Sequence, residues 1–285
     1  MKLATVLYRQ NSLVGVIVDE GIALLPSPEF PAQLEEWIKE GDALLQRAKE
    51  ALSAGNVQQV IAHSDAKILA PLSTPGKIVA IGLNYFDHCR EQNIPVPDRP
   101  IVFTKFNTSI IGPGDPISWD STLTQQVDYE VELGVVIGKR AKSVSVTEAL
   151  DYVFGYTIIN DVSARDLQFS DRQWVRAKSL DTFCPMGPAI VTKDEIPDPQ
   201  HLELRTLLNG EVVQNSTTAE MVFSVADLVS FLSHSFTLEP GDVIATGTPD
   251  GVGVFRKPPV FLKHGDRVVL EIEKIGRLEN PVCLS

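Results

Sequence analysis

From residue 77 onward the chain is a series of short apolar runs separated by Gly, Pro and Asp. "KIVAIGLN", "RPIVFTKF", "YEVELGVVIG", "FGYTIIND", "GPAIVT", "LELRTLLNG", "DVIATGT" and "DRVVLEIEKIG" have the β-branched and apolar content of strands. "TEALDYV" and "SVADLVSFLSH" space their apolar residues as helices do. Thr147 is the predicted N-cap of the first, and Ser224 followed three residues later by Asp227 marks the start of the second. Upstream, strands are predicted over 4–9, 15–18 and 21–25, with "VGVIVDEGIALL" forming a β-hairpin. "PAQLEEWIKEGDALLQRAKEALSAG" then places Leu34, Trp37, Ile38, Leu44 and Leu45 at helical spacing, and Gly55 closes that helix.

"APLSTPGK", over 70–77, carries two prolines and a glycine and reads as a linker. The predicted division is therefore a small N-terminal α+β unit over 1–70 and a larger, mainly β unit over 71–285. Strands and long helices do not alternate, so an antiparallel or mixed sheet (fold class α+β) is expected rather than a doubly wound one.

Composition narrows the function classes. The 285 residues carry a formal net charge of −12, which argues against nucleic-acid or anionic-membrane partners, since both need basic patches. The cysteines, Cys89, Cys184 and Cys283, are few, far apart and in no C-x-x-C pattern, as expected of free thiols. Neither a signal peptide nor an import segment is visible, and no apolar run reaches the roughly 18 residues of a membrane helix. These readings predict a cytoplasmic location.

The chemistry begins in "VDYEVELGVVIGK", where Asp128, Glu130 and Glu132 occupy alternate positions. On a strand, residues i and i+2 point the same way, so Glu130 and Glu132 project together. Two adjacent carboxylates repel each other unless a cation lies between them, and a hard divalent ion with oxygen ligands is one solution. A solvent-facing strand edge is the other. "GYTIINDVSARDLQ" ends an apolar run in Asp161, either a third ligand or a turn cap. "NYFDHCRE" sets His88 and Glu91 at i, i+3, the spacing of a dyad on one helical face or of an ordinary surface pair. The glycine-rich "ATGTPDGVG" lacks the G-K-[ST] ending of a phosphate loop. A Cys89–His88 nucleophile is rejected, because neighbouring residues diverge on a helix.

Together, "GLNYFDHCREQ", "DYEVELGVVIGK", "NDVSARDLQ", "AKSLDTFCPMGP", "LNGEVVQ", "GDVIATGTPDGVG" and "LKHGDRV" resemble, in order, the fumarylacetoacetate hydrolase family. "FTKFNTSIIGP" and "GVFRKPPVFLKHGD" resemble most its branch of second-type domain-containing proteins. The resemblance implies a C-terminal mixed β-sandwich or β-roll, usually dimeric. It implies Mg²⁺ (or Mn²⁺ or Ca²⁺) held by Glu130, Glu132 and Asp161, with His88 and Glu91 as the water-activating or proton-transferring dyad. It further implies Lys178 stabilising charge on the substrate and Thr248 holding the substrate carboxylate. Arg165 and Gln168 are expected near the substrate; Lys105 is read as a substrate contact or a structural residue.

The implied substrate is a small anionic 2-oxo acid. The expected activity is keto–enol tautomerisation or decarboxylation of oxaloacetate-like acids, with acylpyruvate or fumarylpyruvate hydrolysis as the alternative. A non-catalytic β-protein with structural Ca²⁺ is the alternative of another class.

Overall fold

The computed structural model describes residues 1–284. A twelve-stranded sheet forms its centre. In spatial order its main path runs Gln59–Ile61, Gly21–Leu24, Asn11–Val18, Lys2–Tyr8, Cys184–Thr192, Val153–Asn160, Val131–Ile137, Val243–Ala245, Ile78–Gly82 and Ile101–Lys105. Pairing along this path is antiparallel except between Val243–Ala245 and Ile78–Gly82. A second sheet of four antiparallel strands, Glu211–Thr217, Glu203–Leu208, Arg267–Ile272 and Gly276–Pro281, packs on one face of the first.

The strand Val131–Ile137 shows how the layers arise. It is buried along its whole length. Val131, Leu133, Val135 and Ile137 join a core with Leu204, Leu270 and Leu278 of the second sheet and with Leu228 and Leu232 of the helix Val225–Ser235. Val136, on the opposite face, packs in a separate core with Trp37, Ile38, Leu44 and Ala48. The period of two thus divides one strand between two apolar layers. Glu132 shares the face of Val136, at the end of the strand where the site lies.

The predicted hairpin forms, with Gly15 opposite Leu24. The residue-225 helix has the full reciprocal cap, Ser224 Oγ on the Asp227 N–H and the Asp227 carboxylate on the Ser224 N–H. Two expectations change. "TEALDYV" yields only a 3₁₀ turn over Ala149–Tyr152, entered from Glu148, while the Thr147 hydroxyl pairs with Ser145. The helix expected to run from Leu34 to Gly55 is two helices, Leu34–Glu40 and Asp42–Ser53. The break is Gly41, whose φ of 61° suits glycine and whose N–H closes on the Trp37 carbonyl. The turn aims both helices at the same sheet face.

The first seventy residues share this sheet. Lys2–Tyr8 pairs with Cys184–Thr192 through Lys2 opposite Val191 and Leu3 opposite Ile190. Trp37 is 1% exposed, stacks on Phe30 and donates its indole N–H to the Pro31 carbonyl at 2.8 Å. Trp37→Ala should cost about 3–5 kcal/mol. Because the sheet is continuous, urea unfolding of that variant should remain a single transition at a lower midpoint; two transitions would show that 1–70 unfolds by itself.

All three cysteines are free thiols. Burial pushes the Cys184 thiol up to about 12, with Lys105 opposing and Asp161 and Glu132 reinforcing the shift. The unfolded thiol ionises near 8.5. Between those values the folded chain holds a proton that the unfolded chain has lost, so this group lowers stability as pH rises from about 8.5. Cys89 is buried as well, whereas Cys283 is half-buried. A disulfide exchange reagent at pH 8 should find Cys283 quickly in the native protein, and Cys89 and Cys184 only after denaturation.

Candidate metal centre and its cavity

Alternation on one strand and the turn closing its neighbour bring the acidic residues together. Val131 lies opposite Asn160 in the antiparallel pair, so the chain turns out of its neighbour at Asp161 beside Glu130. The Asp161 N–H donates to the Glu130 carbonyl at 3.0 Å. Glu130, Glu132 and Asp161 are all buried, and each offers a carboxylate oxygen within 4.8 Å of the others. Oxygens sharing one Mg²⁺, at 2.0–2.1 Å each, stand no more than about 4.2 Å apart, and those on Ca²⁺ up to about 5 Å.

Three buried cations surround the cluster. Lys178 Nζ donates to Glu130 Oε2 at 2.9 Å, Asp161 Oδ2 at 2.6 Å and Ser163 Oγ at 2.8 Å. Lys105 Nζ donates to Asp161 Oδ1 at 2.6 Å and to the Lys178 carbonyl. Arg165 Nη1 lies 2.7 Å from Glu130 Oε1, and its Nε donates to Asp128 Oδ2 at 2.8 Å. Among the described residues, Glu132 has no cation within ion-pair distance. It receives the Gly247 N–H at 3.0 Å, a contact that needs glycine: φ is 99°, and a Cβ there would stand 2.8 Å from Asn84 Cβ.

The titration directions follow. Burial would raise Glu130, but Lys178 and Arg165 overcome it and bring the carboxyl down to about 2. Glu132 goes well above the carboxylate range, because burial and the charges of Asp161 and Glu130 outweigh Lys178 and the Gly247 N–H. Lys178 is raised: Asp161 and Glu130 more than offset burial. With all four acids ionised, Asp128, Glu130, Glu132 and Asp161 against Lys105, Lys178 and Arg165 would leave one negative charge in excess. A divalent ion would turn that into one positive charge, suited to an anionic ligand. The uncompensated Glu132 beside two oxygens within ligand spacing fits an all-oxygen divalent site.

A cavity of about 120 Å³ opens on this cluster. His88, Glu130, Glu132, Asp161, Arg165, Gln168, Lys178 and Thr248 all line it. Glu91 and Lys105 stand behind the wall: Glu91 bonds His88, and Lys105, 2% exposed, bonds Asp161. Lys105 thus reaches the cluster through Asp161 and is not part of the cavity lining. Phe103, Trp174 and Phe255 add aromatic rings to the lining, Phe103 beside Lys178 and Phe255 beside His88. Trp174 packs so tightly on Gly82 that a Cβ there would approach it to 2.4 Å.

His88 sits on the helix Phe86–Gln92. Its Nδ1 lies 3.2 Å from Glu91 Oε2, and its Nε2 lies 2.9 Å from Gln92 Nε2. An amide nitrogen only donates, so Nε2 is the acceptor and Nδ1 carries the proton toward Glu91. The other Glu91 oxygen receives the Gly251 N–H at 2.9 Å. Gln92 is absent from the sequence reading, although it lies at i+4 from His88 on the same face. Asp128, noted there only as the third alternating acid, is a buried hub. It accepts from Arg165, from the Gly253 N–H at 2.8 Å and from the Val254 N–H at 3.0 Å. No local pattern announces that contact, because 125 positions separate Asp128 from Gly253.

Known proteins share this scaffold. The profile "Fumarylacetoacetate (FAA) hydrolase C-terminal" matches residues 77–283. The chain belongs to the fumarylacetoacetate hydrolase family, and it is an enzyme of the branch of second-type domain-containing proteins. It is 51% identical to oxaloacetate tautomerase fahd2, mitochondrial, of Xenopus laevis over 90% of this chain and 80% of that one. With the human oxaloacetate tautomerase FAHD2A, mitochondrial, it shares 49% over 90% of this chain and 81% of that one. Among solved structures, a fumarylacetoacetate hydrolase from Exiguobacterium antarcticum superposes with a TM-score of 0.89 at 39% identity, covering all of both chains. A maleylpyruvate hydrolase from Sphingobium sp. SYK-6, in complex with manganese(II) and pyruvate, does so with 0.82 at 28%, again over all of both chains. The expected cytoplasmic location is overturned, since the frog, human and bovine relatives are mitochondrial by name. Location is decided by targeting signals, on which the fold and the site chemistry have no bearing.

The Lys105–Asp161 pair is fully enclosed on both sides. Lys105→Met should leave Asp161 buried without one of its cations and cost about 3–5 kcal/mol in denaturant unfolding. A loss below 1 kcal/mol would mean that Lys178 alone neutralises Asp161.

Proposed function

We propose that this enzyme interconverts the keto and enol forms of oxaloacetate or a similar short 2-oxo dicarboxylate, with Mg²⁺ as its working ion. The reading rests on one observation: three buried carboxylates at ligand spacing, two flanking cations and an imidazole all face a single small cavity. Relatives named oxaloacetate tautomerase at about half identity support it. The manganese(II) and pyruvate of the Sphingobium hydrolase support the ion and substrate classes.

Glu130, Glu132 and Asp161 would hold the ion, which supplies Lewis acidity toward the substrate's carboxylate and 2-oxo oxygens. The chain's own groups do the rest. The lone pair of His88 Nε2 accepts a proton from C3 once the Gln92 amide swings aside, and Glu91 on Nδ1 strengthens the imidazole as a base. Lys178 and Arg165 stabilise negative charge growing on the 2-oxygen, in a cavity too enclosed for water to screen them. The proton returned to that oxygen completes the enol, and the reverse order gives the keto acid. Trp174, Phe103 and Phe255 limit substrate length and exclude water.

Acylpyruvate or fumarylpyruvate hydrolysis is the second reading, favoured by the intact His88–Glu91 pair at 3.2 Å, which could instead activate a water. We read the chain as a homodimer. Val102, Phe106 and Phe169 are exposed apolar side chains, the first on the terminal strand of the large sheet and the second just beyond it, and they support that reading.

Enol-oxaloacetate and an acylpyruvate, each with Mg²⁺, should separate the readings: the first is converted and the second is not. His88→Gln should lower kcat about 100-fold or more. Glu132→Gln should lower turnover on the order of 100-fold, while its melting temperature holds or rises, because a buried carboxylate without a cation has been neutralised. Turnover of neither substrate by the Mg²⁺-loaded protein would refute both readings.

A further inference from the structure

We propose that Gln214, which lies outside the cavity wall, is a positioning residue that fixes Thr248 as a hydrogen-bond donor to the anionic substrate. Gln214 is 1% exposed on the strand Glu211–Thr217 of the second sheet. Its Oε1 accepts from the Val131 N–H at 3.1 Å and from the Thr206 hydroxyl at 2.8 Å. Its Nε2 faces the Pro249 carbonyl at 3.1 Å, the Asp250 carbonyl at 3.4 Å and Thr248 Oγ1 at 2.9 Å.

These partners allow one orientation of the amide. Turned over, it would set NH₂ against the Val131 N–H and oxygen against two carbonyls, keeping bonds only to the two hydroxyls. Nε2 is therefore the donor and Thr248 Oγ1 the acceptor. A hydroxyl that accepts on one side keeps its own proton for another partner. Thr248, 4% exposed, has no acceptor for that proton among the described residues, and its side chain borders the cavity. The proton thus faces the space where an anion would lie.

Gln214 also links two parts of the site. The N–H it holds belongs to Val131, between the paired glutamates, and the hydroxyl it directs belongs to the loop opposite. One side chain in the second sheet sets the register of both.

The inference rests on the reading that the cavity takes a small carboxylate. Oxalate is a suitable probe because its binding needs no turnover. Its affinity for the Mg²⁺-loaded protein should be measured by calorimetry, with melting temperatures alongside. Thr248→Val should weaken oxalate about tenfold, and Thr248→Ser, which keeps the hydroxyl, by less than about twofold, in line with the loss of one charge-assisted hydrogen bond. Gln214→Glu turns the partner from donor to acceptor at nearly constant shape, so it should weaken oxalate as Thr248→Val does. The double variant Gln214→Glu/Thr248→Val should be no weaker than Thr248→Val alone. Gln214→Met, with no hydrogen-bonding terminus, substitutes where the acidic variant does not fold. Parental affinity in Gln214→Glu, or fully additive losses in the double variant, would overturn the proposal. Failure of the parent protein to bind oxalate would refute the reading of the cavity instead.

Discussion

The structure depends on a buried balance of charge. Four carboxylates and three cations sit in a region that excludes water, where each would be costly without its neighbours. Lys105, Lys178 and Arg165 come from separate parts of the chain, and each closes on an acid brought by another strand or turn. Their pairing holds the end of the central strand, the turn at Asp161 and the helices Arg165–Ser170 and Val175–Lys178 in one arrangement. The apolar layers supply bulk stability, and the ionic cluster decides where those elements meet.

The same balance shapes the chemistry. Glu130 and Asp161 are matched by cations, and Glu132 is left to a backbone N–H. With a divalent ion on Glu132 and its neighbours the local charge would turn positive, so an acidic protein could there receive an anion. The long-range field of the chain says little about its site, because the Debye length at physiological salt is about 8 Å and the decisive charges lie closer than that.

Much of this was legible in the sequence because it is local. Alternating acids on an apolar strand, an aspartate closing the next apolar run and His88 with Glu91 at one helical turn are short-range patterns, and their residues meet in space. What was not legible lies in long-range closure. Lys105 looked like a substrate contact as readily as a structural residue until its ammonium was seen on Asp161. Gln214 ends the segment LNGEVVQ, but no role attached to it there, since a lone glutamine on a half-exposed strand is ordinary. The break at Gly41 was hidden because the apolar spacing stays helical on both sides of it, and only the turn's geometry reveals two helices. The pairing of the first strand with Cys184–Thr192 could not be read either, because sheet order is set by the fit of whole layers.

Glu91 has one oxygen on the His88 imidazole and the other on the Gly251 N–H. Closure and placement of the dyad are thereby interlocked. If the helix Phe86–Gln92 swings outward, the imidazole and its carboxylate leave the loop together, so an open entrance would have no dyad facing the acidic cluster. On the proposed reading, proton transfer would be confined to the shut state, and a reactive enol would meet no competent partner while bulk water could still reach it.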